Sequence, residues 1–147
     1  MERQRNMFIQ QALKRVCDLS WEPKLRLSLI RVLRVFTEAV TDYQSAMQLS
    51  PVQQEAYREM LSKREEIKKD CPEDASTAFN DLDVEYEELL DTVRKQNIAN
   101  DVFLRQEDDL SFKPVTIPED HELLSEIQAG DFALLLDDVL IIGDSNV

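Results

Sequence analysis

The chain has 147 residues, a length typical of one domain, and its 30 acidic and 17 basic side chains give a net charge of −13. Its 2 glycines and 5 prolines leave little material for the tight turns of a β-sandwich or for a glycine-rich phosphate loop. Charged residues at 32% and hydrophobic residues at 43% indicate a folded chain rather than a disordered one. No apolar run reaches the length of a membrane span, and the first residues lack the pattern of a signal peptide.

The charges are divided unevenly along the chain. Residues 1–69 contain 13 Lys and Arg against 9 Asp and Glu, a net +4, whereas residues 70–147 contain 4 against 21, a net −17. The simpler interpretation is that basic early helices lie against acidic later ones. The alternative is an acidic surface made for a basic partner. In either case an acidic surface repels nucleic acid, so we expect no direct binding to DNA or RNA.

Apolar periodicity predicts an all-α fold. We expect a bundle of about four helices, over residues 2–19, 22–49, 51–69 and 76–108. The second of these is the central helix, because it carries two apolar stripes and therefore needs neighbours on at least two sides. The side chains expected to be almost fully buried are Leu29, Val32, Leu33 and Phe36.

Three local features refine the helix boundaries. Ser50 and Gln53 have the spacing of a capping box, which predicts the start of the third helix. Trp21 is expected to close the end of the bundle. Gln96 and Asn100 interrupt the heptad pattern of the fourth helix, so this helix either projects beyond the bundle or uses the polar pair to set its register.

Beyond the helical domain, residues 1–108, the sequence predicts a mostly irregular, acidic and apolar extension over residues 109–147. Within it we expect a short helix over 118–128 and an acidic–hydrophobic segment over 131–144. This segment either folds back to cap the bundle or inserts into a partner protein. Asp137 and Asp138 interrupt its apolar run, which favours a partner with an apolar groove rimmed by basic residues.

The extension supplies the candidate partner-binding residues, which are all large and apolar: Phe132, Leu134, Leu135, Leu136, Val139, Leu140, Ile141, Ile142, Leu123 and Leu124. Leu123 and Leu124 follow acidic residues in a pattern that resembles a dileucine sorting signal, and residues 145–147 resemble a ligand of a PDZ domain. If the segment binds a partner, Phe132→Ala with Leu135→Ala should weaken binding and leave the melting temperature unchanged.

The sequence contains few candidates for catalytic or metal-binding residues. His121, the only histidine, lies between two acids and is expected to be an exposed surface side chain, without the further ligands of a zinc site. No glycine marks a calcium loop near Asp81 and Asp83, and no phosphate loop or nucleophile elbow is present. We therefore expect no catalytic residue, no metal and no cofactor. Cys17 and Cys71 lack metal-ligand spacing and are predicted to be reduced thiols, which favours the cytoplasm or nucleus.

The sequence therefore predicts a non-enzymatic helical adaptor, or a subunit of a multiprotein assembly, that binds other proteins through helix faces and its C-terminal segment. This prediction is compatible with a homo-oligomer. The alternative is a small acidic regulator that masks a basic surface, such as a nucleic-acid mimic, an immunity protein or a secretion chaperone. A contiguous acidic face would favour the regulator. A pocket that gathers His121 with two carboxylates would instead favour an enzyme.

Overall fold

The computed structural model describes residues 1–70, 73 and 75–143, and the fold is mainly helical. The α-helices in this part of the chain are α1 (Arg3–Cys17), α2 (Pro23–Met47), α3 (Pro51–Asp70), α4 (Ala75–Glu85), α5 (Glu87–Arg105) and α6 (Ala129–Leu135). A 3₁₀ helix (Glu122–Glu126) and two strands, β1 (Val115–Pro118) and β2 (Leu140–Gly143), lie beside them. The predicted helical character is confirmed, whereas the predicted count of four bundle helices is not.

The chain forms two compact units. The first unit contains Met1–Ala46 and the described part of Leu104–Val147, and the second contains Met47–Phe103. Residues that follow α5 therefore belong to the same unit as α1 and most of α2. This division differs from the expected separation of residues 1–108 from 109–147.

The core of the first unit includes the inner face of α2. Leu29, Val32 and Phe36 are almost completely buried, as predicted, while Leu33 is only partly buried. Leu33 follows Val32 directly and so points about 100° away from it around the helix. Trp21 is also buried in this core, and its indole N–H donates to the carbonyl of Val16 at 2.7 Å.

The fourth predicted helix, over residues 76–108, is divided and shorter. A turn at Tyr86 separates α4 from α5, although Tyr86 still donates its backbone N–H to the Leu82 carbonyl at 3.0 Å. The end at Arg105 has a tertiary cause, because the next residues pair with the start of the chain. Arg3 donates its backbone N–H to the Gln106 carbonyl at 2.9 Å, in a short antiparallel bridge.

Two short parallel strands replace the irregular structure predicted for parts of the extension. β1 pairs with β2 in the register Val115↔Leu140 through Pro118↔Gly143. The β-branched residues of both strands suit this extended conformation. Parallel strands require a long connection, and here it contains the 3₁₀ helix and α6. Residue 144, the end of the predicted acidic–hydrophobic segment, lies outside the described residues, as do residues 145–147 of the PDZ-ligand pattern.

The short helix predicted over residues 118–128 is also corrected. Pro118 ends β1, and the helical part is the 3₁₀ helix Glu122–Glu126. Its start is fixed by His121, whose Nδ1 accepts a hydrogen bond from the Leu123 backbone N–H at 3.1 Å. The 3₁₀ helix ends before Ile127, whose backbone is extended.

Over residues 1–70, 73 and 75–143, no helix combines the length and the apolar composition that crossing a bilayer requires.

Candidate protein-binding surfaces

Many of the predicted partner-binding residues lie in the core of the first unit. Leu123, Leu135, Val139 and Leu140 are buried, and Ile141 is exposed, at 42% of its surface. The others are half-buried: Leu124, Phe132, Leu134, Leu136 and Ile142. Most of the segment therefore packs against the core of the first unit, with α6 against α1, and it does not form one exposed apolar surface.

The aspartates of this segment have intramolecular roles. Asp131 is buried and accepts two hydrogen bonds from the Arg15 guanidinium, at 2.8 Å from Nε and 2.7 Å from a terminal nitrogen. Asp138 is 2.9 Å from the guanidinium of Arg5. Asp137 has a φ of 72°, a left-handed conformation that Asp tolerates better than most residues, and it makes the turn into β2. The sequence predicted that basic residues of a partner would contact these acids. For Asp131 and Asp138, arginines of this chain make that contact instead.

The hydrogen bonds from Arg15 hold the pKa of Asp131 below its usual value of 3.8. A carboxylate with a lowered pKa in the folded state contributes stability that is complete above its unfolded pKa and is lost as pH falls through the folded pKa. We therefore expect the melting temperature of the wild type to fall more steeply below about pH 4 than that of Asp131→Asn. Thermal unfolding monitored by circular dichroism between pH 6 and pH 2 measures both slopes.

A second variant tests the same ion pair from the other side. Arg15→Gln removes the group that lowers the pKa of Asp131, so this variant should also lose stability less steeply in acid. Parallel curves for the wild type and both variants would show that the pair contributes no acid dependence.

His121 is not the exposed side chain that the sequence predicted. Its side chain is 13% exposed, and its ring lies 5.0 Å from that of Trp21 between centroids. Its Nε2 lies 2.9 Å from an oxygen of Glu22, and this hydrogen bond lowers the pKa of the Glu22 carboxyl. The cluster closes one part of the first unit's core.

No metal site emerges from the described part of the chain, where no group of three or more His, Cys, Asp and Glu side chains is arranged to hold an ion. Asp83, one of the two acids considered for calcium, instead lies 3.6 Å from Arg64. Cys17 is a free thiol, and burial raises its pKa to about 11, so it is protonated at neutral pH. Cys71 lies outside the described residues.

An open groove of about 590 Å³ runs along the first unit, between α2 and residues 112–118. Its size is within the usual range of binding clefts. Half-buried apolar side chains line it, among them Leu25, Val35 and Phe112. Phe112 is held in place by the ring of Phe36, at 5.1 Å between centroids.

Three basic residues at the edge of this groove were not identified from the sequence: Lys24, Arg31 and Lys113. In the sequence, Lys24 and Arg31 belong to the narrow polar stripe of α2, which is ordinary for a helix of this kind. Their clustering with Lys113 depends on contacts between distant parts of the chain. The available signal was weak: positive side chains seven residues apart on an apolar helix of an acidic protein.

The second unit has a different kind of surface. Among its described residues, the buried apolar side chains are Met60 and Leu82. A larger set of its apolar side chains is exposed, and the set comprises Val52, Leu61, Val84, Ile98 and Val102. Ile98 and Val102 lie one helical turn apart on α5, at 61% and 57% exposure.

Comparison with models of protein families, with curated proteins and with solved structures found no match to this chain.

Proposed function

We propose that the chain is a non-enzymatic helical adaptor, or a subunit of a multiprotein assembly, in the cytoplasm or nucleus. The observation that carries this proposal is the exposed apolar pair Ile98 and Val102 on α5. Two neighbouring aliphatic side chains on one helix face are the form of anchor that a partner helix or groove covers. The second unit also buries few side chains of its own, which is typical of a small helical body that is completed by a partner.

Helices α3 and α4 contact each other through ion pairs and a cation–π contact, and few of the described apolar side chains in this unit are buried. Lys63 lies 3.4 Å from Glu85 and Arg64 lies 3.6 Å from Asp83. The Arg64 guanidinium also stacks over the ring of Phe79, 4.7 Å from its centroid. Exposed ion pairs of this kind stabilise a structure only slightly. Covering the apolar residues of the second unit would add the larger hydrophobic term.

The proposal predicts that Ile98→Ser with Val102→Ser abolishes partner binding. Both side chains are exposed, and serine has a helix propensity close to those of isoleucine and valine, so the fold should be unaffected. The measurement is co-purification from cells of the source organism, with quantitative mass spectrometry of the bound proteins. We expect at least a tenfold depletion of the proteins that the wild type captures.

The matched control is Asn97→Ser, which changes an exposed neighbour on the same helix. It should capture partners as the wild type does, and all three proteins should have the same melting temperature. Equal capture by the double variant and the wild type would exclude this face of α5. Light scattering of the purified wild type separately tests whether the partner is a second copy of the chain.

The alternative, an acidic regulator that masks a basic surface, would need a contiguous face of free carboxylates. Four acids from the acidic half of the chain are instead paired with basic side chains from its first half, namely Asp83, Glu85, Asp131 and Asp138. This pairing follows the simpler interpretation of the charge division and supports the adaptor over the regulator.

A further inference from the structure

The groove between α2 and residues 112–118 combines an apolar lining with positive charge. Lys24, Arg31 and Lys113 line it and are exposed. Within the described part of the chain, none of these three side chains has a carboxylate within ion-pair distance. The one acid in the lining, Glu22, is already engaged by His121. The lining therefore carries three positive side chains against one carboxylate, a local excess of positive charge in a protein with a net charge of −13.

The positive groups have a defined spacing along α2. Lys24 and Arg31 are seven residues apart, which is two helical turns and about 10 Å along the axis. Between them, Ser28 provides a small side chain, and its hydroxyl is occupied because it donates to the Lys24 carbonyl at 3.2 Å. Leu25 and Val35 continue the same wall with apolar surface. The α2 wall of the groove therefore presents apolar side chains beside two cations that lie two helical turns apart.

The strand side of the groove does not favour the addition of another strand. Val115 and Glu119 donate their backbone N–H groups to the carbonyls of Val139 and Gly143, on the side of β2. The backbone N–H and C=O of Thr116 therefore point to the opposite edge of β1. Pro114 and Pro118, on either side of Thr116, have no backbone N–H to donate. This edge therefore has a single donor, and side-chain contacts must supply the recognition.

From these features we propose that the groove binds an acidic peptide segment of a partner protein. Its large apolar side chains would lie on Leu25, Val35 and Phe112, and its carboxylates would lie against Lys24, Arg31 and Lys113. Carboxylates about 10 Å apart match the spacing of the α2 cations, which corresponds to seven residues in a helical peptide. Charge complementarity at the rim provides specificity for acidic sequences, and apolar burial provides most of the affinity. This site goes beyond the α5 surface, whose residues do not line the groove.

The test uses a phage library of random peptides, long enough to form four helical turns, selected on the full-length wild-type chain. We expect the enriched sequences to combine Asp or Glu with Leu, Ile or Phe. The best peptide is then synthesised with a fluorescent label, and its Kd is measured by anisotropy. The Kd should rise at least tenfold in the variant Lys24→Gln, Arg31→Gln, Lys113→Gln, because three exposed charge contacts are lost together.

The matched control removes the same number of positive charges from exposed positions outside the groove, in the variant Lys14→Gln, Arg34→Gln, Lys69→Gln. It should bind the peptide as the wild type does. Enrichment of peptides without acids, no enrichment at all, or an equal Kd for the two triple variants would overturn the proposal. A wild-type dimer in sedimentation velocity that dissociates in the groove variant would also overturn it, because the occupant would then be a second copy of the chain. Since Ile98 and Val102 are unchanged throughout, failure here leaves the α5 test independent.

Discussion

Replacing Leu135 by alanine is expected to lower the free energy of unfolding of the first unit by about 3–5 kcal/mol. Leu135 has no exposed surface, and it belongs to the same core cluster as Ile9, Leu13 and Leu140. The substitution removes transfer free energy and leaves a cavity that rigid neighbours on α1 cannot fill. Urea unfolding monitored by the fluorescence of Trp21, the only tryptophan, reports on this unit specifically.

The matched control for Leu135→Ala is Ile141→Ala in the same C-terminal segment. Ile141 is exposed, so its replacement should change the free energy of unfolding by less than about 1 kcal/mol. Equal effects of the two substitutions would contradict the assignment of Leu135 to the core. Because Leu135 is buried, we now expect the Phe132→Ala, Leu135→Ala variant to melt at a lower temperature than the wild type, rather than at the same temperature.

Local sequence signals were sufficient for the first three helices. The predicted ranges 2–19, 22–49 and 51–69 compare with Arg3–Cys17, Pro23–Met47 and Pro51–Asp70. Periodicity defined their apolar faces, and a capping signal defined the start of α3. The Ser50 hydroxyl accepts from the Gln53 backbone N–H, and the Gln53 side chain accepts from the Ser50 backbone N–H, both at 3.2 Å.

The C-terminal part could not be predicted in the same way, because its structure depends on distant partners. β1 and β2 are short, and each is defined by pairing with a strand far away in the sequence. Asp137 and Asp138 interrupt an apolar run and so indicated an external surface, but Asp138 is paired with Arg5 on α1. Asp131, at the start of the same segment, is paired with Arg15 on α1. A sequence pattern shows that a carboxylate needs a partner and does not show which arginine supplies it.

The candidate groove illustrates the same limit. In the sequence, Lys24, Ser28 and Arg31 form part of an ordinary polar stripe on α2. The three residues do lie at the surface, but the segment 112–118 makes a second wall beside them. Because that segment contains two prolines, the sequence indicated only that it was extended. Its position against α2 is a tertiary property that no local pattern encodes.

Phe36→Ala is the second substitution with a large expected effect, about 3–5 kcal/mol in the free energy of unfolding. Phe36 is completely buried at the centre of α2, and its ring lies 5.1 Å from that of Phe112 at an angle of 55°. Such tilted aromatic pairs contribute about 0.5–1.5 kcal/mol beyond the area that they bury. The loss therefore combines a cavity in the core with the loss of this ring contact.

The same urea unfolding experiment separates the two terms when Phe36→Leu and Phe112→Leu are measured singly and together. Phe36→Leu keeps most of the buried volume and should cost less than Phe36→Ala. The double variant should be more stable than the sum of the single effects predicts, because the ring contact can be lost only once. Additive effects would show that the rings do not interact.

A loss below about 1 kcal/mol for Phe36→Ala would show that the core does not lie where the structure places it. Since Phe112 also lines the groove, a confirmed coupling would mean that the core residue Phe36 fixes the floor on which the proposed acidic peptide binds.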